Sequence, residues 1–361
     1  MILVTDESGH PQETETYLEA AIDQAASARC PVYVLGREAV FGYPYAHVRW
    51  VHPQTGREHL LPVDRGPETA FIEQLQTEGF EKRTDAHPSG FGPYAQSRLA
   101  WQTGGIFFLL PSLETDLNRG QKRRYALEAM EGYQPDLHSP AQILMGIQRS
   151  PFRSLIWRIV SDLNPHQPGP AKMMDIRRRF AGNKEEFAEQ IQEAETKART
   201  YYEGLQRAVQ ALDARQAARD REPSRRWQAN YDLIRAQTTA YAAHVYVYRK
   251  ALGEAAAKLE TTPATLLNKH RLVGWKAQQR KNVPLDETAV EMLQDAKERY
   301  LAVVENHPGT PWASRALWEL RRDFDYPDAE AAPGEEGAGE TAARPSPDAL
   351  ADNRPAGTGS S

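Results

Sequence analysis

The chain has one cysteine, Cys30, among 361 residues. A lone thiol forms no internal disulfide and no thiolate metal cage, so neither stapling nor cysteine chemistry accounts for the protein. Long apolar runs are missing too: no stretch approaches the roughly 20 apolar residues of a spanning helix, and the first residues lack the basic-then-apolar pattern of a secretory signal. Compartment is left open. Also absent are a Walker loop, a Gly-x-Ser-x-Gly elbow, a His-Glu-x-x-His pair and the dinucleotide glycine fingerprint. "SGFGPY" (89–94) is glycine-rich but follows no clear strand, so it reads as a turn. No carboxylate pair or nucleophile with a matching base stands out, and the expectation is a protein that is not an enzyme.

What is present suffices for a core of ordinary size, since 40% of the residues are hydrophobic. The net charge of −5 conceals a pattern: cut near 112 and 322, the chain carries −6, +8 and −7 in its three parts. Such asymmetry suggests separate modules and an acidic tail.

The fold class expected is an α/β N-terminal part with a parallel sheet, then an all-α elongated region, then a disordered tail. Residues 1–112 alternate strand and helix: "ILVT" (2–5), a helix at 13–30, "PVYVLG" (31–36), a helix at 93–105 stopped by glycines, and "IFFLL" (106–110). A hairpin inserted at about 46–64 turns at "PQTG". Connecting helices follow at 113–183. Apolar or small residues then recur in steps of four and three at Phe187, Ile191, Ala194, Ala198, Tyr201, Leu205, Ala208 and Leu212, and again at Trp227, Tyr231, Ile234, Thr238, Tyr241, Val245, Tyr248 and Leu252. Pro223 suits the first turn of the second helix. These seams predict a long antiparallel helical hairpin over 184–260, with helices roughly 37 Å or longer at 1.5 Å per residue, and hence an elongated arm. Helices at 261–326 include one pair broken at "HPGTP" that resembles a single tetratricopeptide unit. The stretch 327–361, acidic and poor in large apolar residues, is expected to be disordered.

Two sets of residues invite a binding reading. His47 and His52 lie in the hairpin, but an odd separation on a strand turns them to opposite faces, which argues against zinc and for surface histidines. "QKRRY" (121–125), "DIRRRF" (175–180) and "REPSRRW" (221–227) interleave arginine with aromatics, a composition suited to a polyanion such as nucleic acid. An acidic tail folded back on these patches is a simpler use for them.

Three motifs in order, "LVTDESG", "CPVYVLG" and "LAWQTGGIFFLL", resemble the C-terminal half of the von Willebrand factor A (VWA) domain family. The layout, with "SGFGPYA" and "HPGTPWA", is similar to uncharacterised bacterial proteins carrying a VWA-like domain followed by helices. The resemblance covers about residues 1–112. It implies a doubly wound sheet, and a magnesium-type ion at the carboxyl ends of the strands, to which Asp6 alone would correspond as a ligand. It also implies that the family's first three strands have no counterpart in this chain. The ion site would then be vestigial, with no cofactor bound by this chain itself, Mg²⁺ requiring the missing half. The segment from Ile2 to Thr5 would present an unpaired apolar edge. The function expected is a non-enzymatic protein-binding or scaffolding role with an unidentified protein partner, and an envelope-associated or exported parent; polyanion binding is the alternative.

Overall fold

The computed structural model describes residues 1–5, 11–43, 45–64, 66–83, 87–110, 125–181, 184–261, 275–276 and 285–324. A small parallel sheet at the N-terminus is followed by helices. Three short strands, β1 (Ile2–Val4), β2 (Tyr33–Gly36) and β5 (Phe107–Leu109), lie side by side in the order β1-β2-β5, all parallel. Helix α1 (Pro11–Ser27) links β1 to β2, and α2 (Tyr94–Gln102) precedes β5. Val32 and Val34 pack with Ala100, Leu99 and Ala25 of these helices, so both helices cover one side of the sheet.

The Thr-Gly-Gly turn between α2 and β5 has a definite physical reason. Thr103 Oγ1 accepts the Val32 N–H at 3.0 Å, Gly104 takes a left-handed φ of 77°, and a Cβ on Gly105 would meet the Val32 carbonyl oxygen at 2.0 Å. Only glycine permits both the turn and the approach.

Strands β3 (Tyr45–Val51) and β4 (Glu58–Asp64) form the inserted antiparallel hairpin, with Trp50 opposite His59. Among the described residues this two-stranded ribbon pairs with no other strand.

The helical part is built around α8 (Arg225–Thr261). Helix α6 (Lys184–Asp213) runs against it, and the eight buried residues of α6 are the eight seam positions read from the sequence. On α8 the seam residues are also buried, except Tyr248, which is half-buried. Ala229, Asn230, Leu233, Ala236, Gln237, Ala240 and Ala243 are buried as well, so from Arg226 to Val245 α8 is covered nearly all round. The helices α9 (Glu287–Asn306) and α10 (Pro311–Phe324), a hairpin broken at residues 307–310, pack on it. So does α4 (Pro151–Asp162), preceded by α3 (Pro140–Arg149) and followed by the short α5 (Pro168–Met174). A turn of helix, α7 (Gln216–Arg221), joins α6 to α8. The pair is therefore no free arm over its first half: α8 is the centre of a bundle. A two-residue strand β6 (Arg179–Phe180) pairs with β7 (Trp275–Lys276) near the start of α6.

The stretch 66–83 and 87–93 is irregular yet deeply packed. Glu68, Glu73, Gln74, Leu75, Gln76 and Thr77 are buried against the bundle, and Phe41 meets Trp312 edge-on at a ring separation of 4.9 Å. One apolar core includes Phe41, Leu75 and Tyr94 together with α4, α6, α8, α9 and α10 residues. The change of character near 112 is thus a change of secondary structure across a continuous interior.

Candidate functional site

The residues singled out by sequence are placed as follows. Asp6 lies outside the described residues, as does the stretch 327–361. Its neighbour Thr5 donates its backbone N–H to the Leu35 carbonyl at 3.0 Å, at the carboxyl end of β1. The His47 side chain is likewise outside them. His52 Nδ1 accepts the N–H groups of Gln54 and Thr55 at 3.2 and 3.3 Å, so this histidine ties its own hairpin turn. Among the described residues no group of three or more His, Cys, Asp or Glu side chains is placed to hold a metal ion. The site residues expected of Asp6 and Mg²⁺ thus gain no geometry here.

Of the described arginines in the basic stretches, Arg226 is buried, Arg177 and Arg178 are half-buried, and Arg179, Arg221 and Arg225 are exposed. Residues 121–124 are outside the described set, but Arg177 pairs with Glu193 at 3.1 Å and Arg178 with Glu81 at 2.6 Å. Arg221 donates to the Ala217 carbonyl, Arg225 stacks over the Tyr133 ring, and Arg226 is buried. Arg177, Arg178 and Arg226 are thus neutralised by carboxylates, while Arg179, Arg221 and Arg225 keep their charge at the surface.

Arg226 is the hub of a polar network that sequence reasoning missed. Its guanidinium reaches Glu68 at 2.8 Å and Glu73 at 2.7 Å and lies 5.1 Å from the centre of the Trp312 ring. Glu68 also accepts the Gly42 N–H, Glu73 accepts from Asn230, and Asn230 accepts from the Trp312 indole at 2.8 Å. Here the irregular stretch is clamped to α8 and α10.

A second chain of groups runs Tyr133, His307, Asp232, Arg219. The Tyr133 hydroxyl is 2.8 Å from His307 Nδ1, and His307 Nε2 is 2.8 Å from Asp232 Oδ2. A carboxylate only accepts, so His307 Nε2 carries a proton and donates it to Asp232. Burial works against the Asp232 charge, but hydrogen bonds from His307 and Arg219 outweigh it and hold its pKa below the usual value. The arrangement looks like a relay, yet His307 is buried and the chain ends on no nucleophile. Its work is to fix the "HPGTP" turn: Thr310 Oγ1 donates to the His307 carbonyl at 2.6 Å, and Ala126 donates its N–H to the Gly309 carbonyl.

A groove of about 590 Å³ lies between the far ends of α6 and α8, floored by Ile191, Leu252 and Ala256 and rimmed by Lys184, Glu195 and Arg199. It brings together no reactive pair.

The sheet presents the most exposed chemistry. Side chains alternate along a strand, and the register sets Ile2 beside Tyr33, Val4 beside Leu35 and Leu35 beside Phe108. These residues, with Ile106 and Leu110, share the side opposite α1 and α2. Ile2 is 70% exposed, Val4 68%, Ile106 55% and Phe108 47%. On the other side Val34 is fully buried and Leu3, in the edge strand, is 36% exposed. Helix α2 lies between the sheet and the bundle, with Tyr94 and Arg98 donating to the His138 and Leu137 carbonyls, so the bare side faces outward. The edge is open as well. Met1 accepts the Tyr33 N–H, and Thr5 donates to Leu35. Odd residues therefore bond to β2, while Ile2 and Val4 turn their backbone groups away from it, and among the described residues no strand pairs there. Parallel sheets almost always have both faces covered, so an exposed apolar outer face departs from the usual arrangement.

Compared with protein-family models, with curated proteins and with solved structures, the chain matches none.

Proposed function

We propose that this protein is a non-enzymatic scaffold whose N-terminal α/β module docks another polypeptide through its outer sheet face. The observation that carries the reading is the row Ile2, Val4, Ile106 and Phe108, apolar and exposed on a parallel sheet whose opposite side packs on α1 and α2. An open strand edge beside the face adds a ladder of backbone donors and acceptors of the kind used in strand addition. Likeness of the three N-terminal motifs to the VWA family, whose members bind through an α/β module of this type, supports the same reading. The bundle then serves as a rigid support, since the charges it buries, such as Arg226 and Asp232, are held in internal pairs. Photo-crosslinking from a reactive side chain introduced at Phe108, in cells making the full chain, tests this. A discrete crosslinked polypeptide is expected at 108 and not at a control position such as Glu203 on α6; crosslinks absent at 108 would overturn the proposal.

A further inference from the structure

We infer that the outer sheet face is occupied by a second copy of this chain, packed face to face; this rests on the docking reading above and names its partner. Three features point to a copy. First, the side chains over the middle of the face, Ile2, Val4, Tyr33, Leu35, Ile106 and Phe108, carry no charge; Arg37, one residue past the pairing of Gly36 with Leu109, stands at its carboxyl end. A two-fold interface sets each patch against itself, so any charge near its axis would meet its own kind, and this patch escapes that penalty.

Second, the area suits a dimer. The exposed surface of these residues is on the order of 600 Å², close to the roughly 800 Å² that each partner contributes to a standard interface once a polar rim is added. Third, the layering permits it. With α1 and α2 on the inner side and the bundle beyond them, the outer side meets another molecule with no described element in the way. Two such sheets stacked about 10 Å apart would bury Phe108 and Val4 from both copies in one apolar layer. Pairing of two β1 edges is the rival geometry, but it leaves the apolar faces in water.

The test is the molar mass of the full chain in solution across a micromolar concentration series, by light scattering and sedimentation. The wild-type chain is expected to be a dimer. Phe108→Lys places an ammonium on the face, beside Leu35 of the central strand, and is expected to weaken association at least about tenfold. Helical circular dichroism and cooperative melting should be unchanged; should that variant fail to fold, Ile106→Lys serves the same purpose. Leu61→Lys, on the exposed ribbon, should leave the dimer intact. A dimer insensitive to Phe108→Lys and Ile106→Lys but lost in Val4→Pro, which removes an outward N–H, would overturn the face-to-face arrangement. A monomeric wild-type chain would overturn the second copy. If Phe108 still crosslinks a different polypeptide, the docking reading stands; with neither result, both fall.

Discussion

The sheet and the bundle close their surfaces in opposite ways. Helix α8 is surrounded, and its surroundings include buried ions: Arg226 between Glu68 and Glu73, and Glu319 beside Arg315 and Arg322. The sheet packs one face on α1 and α2 through Val32, Val34 and Ala100 and leaves Ile2, Val4, Ile106 and Phe108 exposed on the other. Buried charge demands partners held at fixed places, and the bundle supplies them from segments far apart in sequence. A bare apolar face demands only cover, from whatever fits. The contrast teaches where the molecule is complete in itself and where it is not.

Removing the hub of the bundle should have the largest effect. Arg226→Met leaves Glu68 and Glu73 without their cation in a site that water does not reach, and breaking a buried pair from one side costs about 3–5 kcal/mol. Urea unfolding should show that loss, whereas self-association measured below the transition should be unaffected. A loss under about 1 kcal/mol would mean that the carboxylates are not desolvated as their burial implies.

That hub also marks the limit of what the sequence could reveal. The α6 and α8 seams, the three strands, the hairpin at 46–64 and the break at residues 307–310 were legible, because each rests on local period or turn chemistry. Pairing of Arg226 with residues about 150 positions earlier in the chain has no periodic trace. Glu68 and Glu73 sit in an irregular stretch where a buried acid looks like any loop acid. The elongated arm failed for a related reason: a seam counts one contact face of a helix, while Asn230, Gln237 and the alanines on the other sides of α8 are buried by elements whose arrival no heptad announces. For the candidate site, the VWA resemblance implied an apolar edge at Ile2–Thr5, but which face the helices would leave exposed depends on the packing of α2 against residues 137–138.

The closed face of the sheet is probed next. Val34→Thr keeps the shape of the side chain and puts a hydroxyl where Ala100 and Leu99 pack, so about 1–3 kcal/mol of stability should be lost, as read by urea or thermal unfolding. A neutral result would show this face to be wetter than its burial indicates.

His244, largely enclosed on α8, gives the bundle a smaller, pH-dependent weakness. Burial is the main influence and pushes its pKa below the usual 6.5, against the pull of the Asp323 carboxylate 3.8 Å from Nε2; Arg322 pushes it down further and Glu319 pulls it up. The unfolded chain takes up a proton near pH 6.5 and the folded chain only at lower pH. Stability is thus fully present above pH 6.5 and declines as pH falls toward the folded value, by at most about 1.4 kcal/mol per pH unit for one proton. His244→Gln should flatten the difference in unfolding free energy between pH 7.5 and 5.5. An unchanged slope would assign the pH dependence to other groups.

The smallest expected effect sharpens the contrast most. Val4→Thr makes the same chemical change as Val34→Thr, in a neighbouring strand of the same sheet, but on the bare side, where the new hydroxyl meets water. Its cost to the unfolding free energy of the monomer should be under about 0.5 kcal/mol, the ordinary range for surface substitutions. Its effect on association should be real, because the face loses apolar area at a point where two copies would meet. Measured at low protein concentration, Val4→Thr and wild type should then unfold together, while at high concentration the wild type should gain stability and the variant less, as binding to the folded state alone requires. If Val4→Thr instead costs as much as Val34→Thr at every concentration, the outer face is already covered within a single chain, and the two sides of the sheet are alike.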